Sequence, residues 1–337
     1  MTSVAHLVIG PDRHGVVQFA LRIRDGITDA GLDSTLLRHE SASDVTAIPD
    51  VEVVHLHVTD RLFGSPATAA AAVVEDLARR IHASGSAFVV TLHDLPQPSD
   101  GRSASARVEC YRRVVACADT VIVSSEHERD LVGAAGIETP EPSVVIPLPV
   151  ATGAGVRTSS DEVTVGVLGF LYPGKGHAEV LDALPPGAHL RALGTPSPGH
   201  DHLVDELAEA AAAHGTTVRV TGYIDDADLP VELGRVTVPV AHHRHMSASG
   251  SINTWIEHGR RPLVVAGAYT REFARRSPGT VTLYEEDRLA EALADAVREP
   301  ASTWLEKGVI AHPTSAEVGA AHVRVYAALA ESAVVHA

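Results

Sequence analysis

Residues 163–184 have the sequence VTVGVLGFLYPGKGHAEVLDAL, in which an apolar run, a glycine-rich loop and an amphipathic segment follow one another. The apolar run is short and rich in valine, which is typical of a strand in a sheet covered on both faces. The segment after the loop has the apolar spacing of a helix. This stretch therefore predicts the strand, loop and helix from which parallel α/β sheets are built.

The same alternation extends in both directions from this stretch. Apolar runs such as AHLVI, VEVVHLHV and AFVVTLH come before it, and HLRALG, TVRVTG and RVTVPVA come after it, with helical segments between them. Residues 147–162, PLPVATGAGVRTSSDE, have no hydrophobic period and are interpreted as a linker. We predict an α/β fold of two Rossmann-like, doubly wound domains, residues 1–150 and 151–315, that face each other across a cleft. A closing helix within residues 316–337 follows, and the sequence leaves open whether it packs back on the first domain.

Composition excludes several classes of protein. A formal net charge of -16 disfavours binding to nucleic acid, whose phosphates such a surface repels. The sequence has no run of about 18 apolar residues, so we expect no membrane span. Its first residues, MTSVAHLVIGPDRHG, do not have the pattern of a signal peptide. The only two cysteines, Cys110 and Cys117, are interpreted as core residues of a protein in the reducing cytoplasm.

Polar residues collect where the predicted strands end. Ligands of open parallel sheets bind beyond the carboxyl ends of the strands. Strand ends are also exposed, so each single residue there has a purely structural explanation as well. The candidates at these ends in the first half are Arg13, His14, Gly15, His57 and His93, and those in the second half are Gly174, Lys175, Gly176, Tyr223, Arg244, Ser249, Gly250, Ser251 and Thr254.

The glycine loop at residues 169–176, GFLYPGKG, is the most specific of these signals. Glycines let a backbone approach a phosphate closely, and a helix N-terminus attracts anions. Lys175 adds a full positive charge, and it is one of only two lysines among 27 basic residues. The alternative is a tight turn with a solvent-facing lysine. The loop nearly matches the P-loop pattern, but Gly176 replaces the hydroxyl residue that holds Mg²⁺, which disfavours a P-loop NTPase.

The run from His242 to His245, which includes Arg244, is a weak metal signature. It lacks the i, i+4 spacing of paired histidine ligands on a helix and has no nearby cysteine. Neighbouring side chains of an extended segment also point to opposite faces. A contact with a phosphate or an acceptor and an exposed loop remain as interpretations, and we expect no metal here.

The order of these segments resembles the GT-B glycosyltransferases, specifically the large retaining family numbered four. DRHGVVQFA is similar to the glycine loop and first helix of that family, and VEVVHLHV and FVVTLHDLP are similar to two of its strands. VGVLGFLYPGKGHAEVLDAL is similar to the start of its nucleotide-binding domain, and SASGSINTWIEHGRRPLV to a later part. No single motif is highly specific, but their order and spacing together are.

The resemblance implies a reaction and roles for individual residues. It implies transfer of a sugar from a nucleoside-diphosphate sugar to an acceptor hydroxyl, with retention, without a metal and without a cofactor. It places His93 near the transferred sugar and Lys175 on the pyrophosphate as the catalytic residues. It places Gly15, with His14, beside the phosphates, and Gly174 and Gly176 in the loop that holds them. The turn containing Ser249, Gly250, Ser251 and Thr254 is implied to face the donor.

Two departures from the family pattern affect the donor site. The family usually has an arginine after the first glycine of the loop, where this sequence has Phe170; Arg13 and Arg244 are candidates to supply that charge. It usually also has two glutamates about eight residues apart, and here only Glu257 is near, out of register. Tyr223 is a further candidate contact.

Three functions therefore remain to be distinguished. The first is a retaining glycosyltransferase acting on a small-molecule or glycan acceptor. The second is a non-catalytic relative that binds a nucleotide, a sugar or a partner protein, which the two departures favour. The third is another GT-B chemistry, such as transfer to a cyclitol or phosphorolysis. The sequence does not indicate the donor's base, its sugar, the acceptor or the oligomeric state.

Overall fold

The computed structural model describes residues 2–139, 143–158, 160–243 and 246–335. The chain divides into two compact units: unit 1 comprises Met1–Pro149 and Pro313–Ala337, and unit 2 comprises Val150–His312. Each unit contains a six-stranded sheet in which all paired strands are parallel. The predicted α/β class, with two doubly wound sheets, is confirmed.

Unit 1 is built on a sheet with the strand order β2-β1-β3-β4-β5-β6. Its strands are β1 Val4–Ile9, β2 Thr35–His39, β3 Val53–Val58, β4 Ala87–Leu92, β5 Thr120–Val123 and β6 Val144–Val145. Its helices are α1 Gly15–Asp29, α2 Asp60–Phe63, α3 Ala67–Ala83, α4 Ala104–Ala116, α5 Glu126–Ala134 and α12 Ser315–Val335, the last of which closes the chain. Every residue of β1 and β3 is buried, as expected for strands between two helical layers.

The helix α12 packs against α1 on one face of this sheet. Val318 and Tyr326 of α12 join Ile23 and Ile27 of α1 in a single apolar cluster that covers Val53 and its neighbours. The buried residues of α1 recur at the spacing of one helical face, which explains why this segment is helical and which face it buries. The end of the chain thus belongs to the core of unit 1.

Unit 2 has the strand order β12-β11-β10-β7-β8-β9. Its strands are β7 Val163–Leu168, β8 Ala188–Leu193, β9 Val218–Val220, β10 Val238–Ala241, β11 Leu263–Val265 and β12 Thr282–Tyr284. Its helices are α6 His177–Asp182, α7 His202–Ala213, α8 Leu229–Gly234, α9 Gly250–Glu257, α10 Ala268–Arg276 and α11 Leu289–Arg298. Counted from β7, this is the 3-2-1-4-5-6 order of dinucleotide-binding sheets.

The predicted linker has neither helix nor strand in its described residues, but it is attached to unit 2. The Thr152 hydroxyl accepts a hydrogen bond from the backbone N–H of Ala311 at 2.8 Å. The guanidinium of Arg157 lies 4.4 Å from the ring centre of Trp304. The composition of the linker predicted an irregular backbone but did not predict these contacts. Within the described residues, no helix is both long and apolar enough to cross a membrane.

Arg260 is a charged residue in the core of unit 2, where it is 0% exposed and requires hydrogen-bond partners in place of water. Its guanidinium donates to the carbonyls of Leu233 at 2.6 Å and Thr237 at 3.1 Å, and to the Thr303 hydroxyl at 3.1 Å. It also lies over the ring of Trp304 at 4.0 Å. Burial lowers the pKa of Arg260 to about 9. The side chain therefore connects three segments of unit 2 whose carbonyls have lost contact with water.

We predict that Arg260→Ala destabilises unit 2 by about 3 kcal/mol or more, because several hydrogen bonds are lost and a cavity is left. Both tryptophans of the chain, Trp255 and Trp304, lie in unit 2, so urea unfolding followed by tryptophan fluorescence measures this unit. Arg298→Ala, which removes an exposed ion pair with Asp295, is the control and should cost less than about 1 kcal/mol. An Arg260→Ala midpoint equal to that of the wild type would contradict the assigned role.

Candidate functional site

Both sheets have a point at which the strand order changes direction, and the predicted site residues lie there. In unit 1 the change falls between β1 and β3, and in unit 2 between β7 and β10. The loops that leave adjacent strands on opposite sides of such a point form a crevice at the carboxyl ends of the strands. His14 follows β1, Lys175 follows β7 and His242 follows β10. Each unit therefore has a candidate site of its own at its switch point.

In unit 1 the loop after β1 leads into the N-terminus of α1. His14 is the N-cap residue, and its Nδ1 accepts a hydrogen bond from the backbone N–H of Val16 at 3.2 Å. Gly15 begins the helix and is exposed, and a Cβ added there would contact nothing within 4 Å. The first turn of this 15-residue helix carries no acidic residue, so its N–H groups present an uncompensated positive potential. Arg13 is exposed beside it.

His93 follows β4 and is held from several directions. Its Nε2 shares a hydrogen bond with Nδ1 of His57 at 3.1 Å. The His93 ring packs edge-to-face against the ring of Phe19, with 5.2 Å between the ring centres. The backbone carbonyl of His93 accepts a hydrogen bond from the Tyr111 hydroxyl. Burial lowers the pKa of His93 to about 4, against the opposing effect of Asp94. At neutral pH this imidazole is neutral, with its tautomer coupled to that of His57.

The residue after His93 has an unusual backbone conformation. Asp94 has a φ of 49°, in the left-handed region that non-glycine residues seldom adopt. Its carbonyl accepts hydrogen bonds from Arg107 and from the Tyr111 hydroxyl. Arg107 in turn binds both carboxylate oxygens of Asp60, at 2.9 Å and 3.1 Å. Such strain persists only where surrounding contacts over-determine the backbone, and it is concentrated at functional sites.

Beneath His93, unit 1 contains a buried histidine cluster formed by His6, His55, His57 and His322. In the parallel register His6 pairs with His55, and His57 lies two residues further along β3, so all three project from the same face of the sheet. His55 is bonded to the hydroxyls of Tyr326 at 2.7 Å and Thr91 at 2.8 Å. Burial is the main cause that lowers the pKa of each of these histidines. They are therefore neutral in the folded protein at pH 7.

Three members of this cluster, His6, His55 and His57, have ring nitrogens within 4.8 Å of one another, which is the spacing of a candidate metal site. Tetrahedral zinc with nitrogen ligands at 2.0–2.1 Å requires nitrogen atoms about 3.4 Å apart. Both ring nitrogens of His55 are already bonded to hydroxyls. Binding an ion here would require His55 to give up one of these bonds. The geometry suits a neutral imidazole cluster better than a metal centre.

In unit 2 the glycine loop makes a tight turn before α6. The backbone N–H of Lys175 donates to the carbonyl of Tyr172 at 3.1 Å, with Pro173 and Gly174 at the two central positions. Gly174 has a φ of 91°, as the third position of a type II turn requires. Gly176 has a φ of 95°, and a Cβ there would lie 2.1 Å from the carbonyl oxygen of His242. Glycine at 176 thus lets the loop approach the end of β10.

Lys175 folds back beneath this loop rather than extending into solvent. Its side chain is 6% exposed, and Nζ would lie 3.1 Å from a Cβ placed on Gly169. Among the described residues its hydrogen-bond partner is the Ser251 hydroxyl, at the long distance of 3.4 Å. Burial lowers the pKa of Lys175 to about 7, and no carboxylate contributes to this pKa. No carboxylate in the described part of the chain is paired with this buried amine, and an anion would stabilise its charged form.

The N-terminus of α9 lies against Lys175. Ser249 caps this eight-residue helix by accepting from the N–H of Ile252 at 3.3 Å, and its hydroxyl lies 3.1 Å from that of Ser251. Gly250 is exposed, and nothing lies within 4 Å of an added Cβ. Thr254 donates its hydroxyl to the carbonyl of Gly250 at 3.0 Å. The structure therefore brings Lys175, Ser249 and Ser251 together.

Two of the remaining predicted contacts, Glu257 and Tyr223, lie in other parts of unit 2. Glu257 is exposed at the last position of α9, about 10 Å along the helix from Gly250 at 1.5 Å per residue. Tyr223 is 58% exposed after β9, at the edge of the sheet. Arg244 and His245 lie outside the described residues. Phe170, at the position of the family's arginine, is 53% exposed.

Several residues that shape the site could not be predicted from local patterns in the sequence. The Asp60–Arg107–Tyr111 network depends on contacts up to 47 residues apart along the chain, for which no local pattern exists. No sequence pattern singled out His177 or His243, yet both are buried, and the charge of Lys175 lowers the pKa of each. One usable signal was the H-x-H pattern of β3, which places two histidines on one face.

Comparison with known proteins agrees with this geometry. Residues 35–149 match the model of a family described as the glycosyl transferase 4-like domain. No curated protein shows significant similarity to the chain. The family match covers the part of unit 1 from β2 to the end of its first chain segment, including His57 and His93. The resemblance to glycosyltransferases is confirmed for this region.

Solved structures share the fold over nearly the whole chain. HepE from Anabaena, in complex with UDP-glucose, is 15% identical with a TM-score of 0.66, over 99% of this chain and 98% of that chain. Sucrose-phosphate synthase from Thermosynechococcus elongatus is 15% identical with a TM-score of 0.68, over 98% and 97%. The lipopolysaccharide outer core galactosyltransferase WaaB, in its apo form, is 11% identical with a TM-score of 0.59, over 99% of each chain. At these identities the likeness establishes the GT-B fold.

The histidine cluster predicts how the stability of unit 1 depends on pH. His6 has a pKa lowered to about 3 by burial, against an ordinary value of 6.5 in the unfolded chain. The unfolded state therefore binds more protons below pH 6.5, so the stabilisation is complete above that pH and is lost as the pH falls towards 3. One such histidine contributes a loss of about 1.4 kcal/mol per pH unit within this window.

His6→Leu should therefore reduce the loss of stability between pH 5.5 and 4.5 by about 1.4 kcal/mol. The measurement is hydrogen exchange of peptides covering β1 and β3, corrected for the intrinsic exchange rate at each pH. His82→Gln, which removes an exposed histidine of the same unit, is the matched control and should not change the slope of unfolding free energy against pH. Equal slopes for His6→Leu and the wild type would show that His6 does not stay neutral in the fold.

Proposed function

We propose that the chain is a glycosyltransferase that moves a sugar from a nucleoside-diphosphate sugar to an acceptor hydroxyl. The observation that carries this proposal is Lys175, a buried ammonium beside the N-terminus of α9 with a serine hydroxyl as its partner. The family match over residues 35–149 and the shared GT-B fold support the same reaction. A diphosphate is the anion that such a reaction releases, and it would be bound where Lys175 lies.

The chemistry follows from where charge develops. The bond from the anomeric carbon to the phosphate oxygen breaks, the acceptor oxygen bonds to the same face of that carbon, and the acceptor hydroxyl loses its proton. Negative charge then accumulates on the departing diphosphate. Lys175, the hydroxyls of Ser249 and Ser251 and the N–H groups that begin α9 are pre-positioned to stabilise that charge. In this proposal the reaction therefore proceeds without a metal or a cofactor, and with retention.

The unit 1 part of the site is proposed to bind the transferred sugar and the acceptor. His93 is neutral and held by His57 and Tyr111, so its free ring nitrogen is a fixed hydrogen-bonding group for a sugar hydroxyl. The N-terminus of α1, with His14 and Gly15, offers N–H groups to a phosphate oxygen. Holding the reacting groups in fixed positions lowers the entropic cost of the transition state.

Uracil is the base we propose for the donor, because HepE, of the same fold, was solved with UDP-glucose and with UDP. The acceptor is proposed to be a small molecule or a glycan. We place the enzyme in the cytoplasm, where both cysteines, Cys110 and Cys117, would remain free thiols as they are in the structure.

A second function has a specific observation in its favour. Phe170 replaces the family's arginine, and the only glutamate of the α9 helix, Glu257, lies at the end far from Lys175. A chain that keeps the phosphate-binding lysine and lacks these groups would bind a nucleotide without turnover. Nucleotide binding is common to both functions, and release of UDP from UDP-glucose in the presence of acceptors distinguishes them.

We predict that one nucleoside diphosphate among UDP, GDP and ADP, with UDP expected, raises the melting temperature by several degrees. Ligand at 100 times its dissociation constant adds about 2.7 kcal/mol. Lys175→Ala should abolish the shift, because the group that neutralises the diphosphate is gone. Lys307→Ala removes the only other lysine, which is exposed, and should keep the full shift. The proposal fails when no diphosphate or diphosphate sugar shifts the wild-type melting temperature, or when both lysine variants respond alike.

A further inference from the structure

Lys175 has two buried histidine neighbours in unit 2. His177 begins α6 and is 5% exposed, and His243 follows β10 and is 7% exposed. The Nε2 atoms of both rings are buried without a hydrogen-bond partner. A buried polar atom that lacks a partner destabilises the folded state. Two such atoms beside a buried ammonium therefore indicate a site that is complete only when something else supplies acceptors.

The three groups are close enough to influence one another. The charge of Lys175 lowers the pKa of both His177 and His243, in addition to the larger effect of burial. His177 also lowers the pKa of His243. Gly176 keeps the loop against the end of β10, with only 2.1 Å between its added Cβ and the His242 carbonyl. The glycine loop, the start of α6 and the residues after β10 thus bring Lys175, His177 and His243 near one another.

The surroundings of this position contain hydroxyls and imidazoles. Ser249 and Ser251 of α9 face Lys175, and His242 is bonded through Nδ1 to the Tyr284 hydroxyl at 2.6 Å. Within the described residues no carboxylate is an influence on the pKa of Lys175, His177 or His243. A ligand that accepts several hydrogen bonds and carries negative charge would satisfy all three donors at once.

We propose that His177 and His243 bind the diphosphate of the donor together with Lys175, and that binding draws a proton onto this set. The proposal rests on the nucleotide-sugar function proposed above and names two further binding residues for it. Nitrogen donors from α6 and β10 thereby provide the contacts that the family obtains from an arginine at the position of Phe170. Because Lys175 loses its proton readily while buried, a bound diphosphate restores that proton and the affinity falls as the pH rises.

The test is calorimetric titration with UDP at pH 8.0, where the phosphates of UDP are already ionised, in two buffers of different ionisation enthalpy. We expect uptake of a substantial fraction of a proton per UDP bound, and an affinity that falls by up to tenfold from pH 7.5 to 8.5. His177→Leu and His243→Leu should each weaken UDP binding about tenfold or more, as loss of a hydrogen bond to a charged group does. His243→Gln keeps an N–H donor and should recover part of the loss.

Three controls separate this inference from a folding defect and from the proposed function itself. Tryptophan fluorescence reports whether unit 2 of each variant is folded, and His202→Gln removes an exposed histidine of that unit. Binding of uridine, which has no phosphate, should not change in the histidine variants. If UDP binds through Lys175 but both leucine variants bind it as the wild type does, or no proton is taken up, the inference is wrong and the function stands. If the wild type binds none of UDP, GDP and ADP, both fail.

Discussion

Desolvation of basic side chains is the constraint on which both parts of the candidate site depend. Each sheet is covered by helices on both faces, so a basic group on a strand, or tucked beneath a loop at its end, loses its contact with water. Burial is the largest cause lowering the pKa of Lys175 and of the buried histidines in both units. The charged forms are stable there only when a partner replaces the lost water.

The two units meet this constraint in different ways. In unit 1 both ring nitrogens of His55 are bonded to hydroxyls and Nδ1 of His57 is bonded to His93, whereas both ring nitrogens of His6 and Nε2 of His57 are buried without a partner. Burial lowers the pKa of these histidines, so they remain neutral at pH 7. In unit 2 the ammonium of Lys175 has a single long hydrogen bond, and the Nε2 atoms of His177 and His243 have none. The two units therefore differ in the charge of the buried group: the histidines of unit 1 are neutral, whereas Lys175 in unit 2 is an amine whose charged form an anion would stabilise. Against a net charge of -16, this position is a local exception that attracts an anion.

Much of the fold follows from local patterns in the sequence. The valine-rich runs and the helical spacing between them predicted the strands and helices, because burial on both faces demands short apolar strands. The glycine loop could also be predicted from local sequence, because the Pro173–Gly174 turn and the close approach at Gly176 require those residue types. The histidine cluster was not, because His55 and Tyr326 are 271 residues apart and meet only through the packing of α12. The bracing of Asp94 by Arg107 likewise depends on tertiary contacts.

The two departures from the family pattern have opposite effects on the charge near a bound diphosphate. Phe170 removes a positive charge from the loop, which weakens attraction for a diphosphate. Serines at 249 and 251, and Glu257 at the far end of α9, leave hydroxyls where the family has carboxylates, which removes repulsion from the same ligand. The net field on a diphosphate therefore changes less than either substitution alone suggests. The geometry of the phosphate contact changes more, because a planar guanidinium can donate hydrogen bonds to two phosphate oxygens at once, whereas an imidazole donates to one. In the proposed function, a site so altered would hold the diphosphate by burial and several single hydrogen bonds. Desolvation around Lys175 would then matter more for donor affinity than its formal charge does.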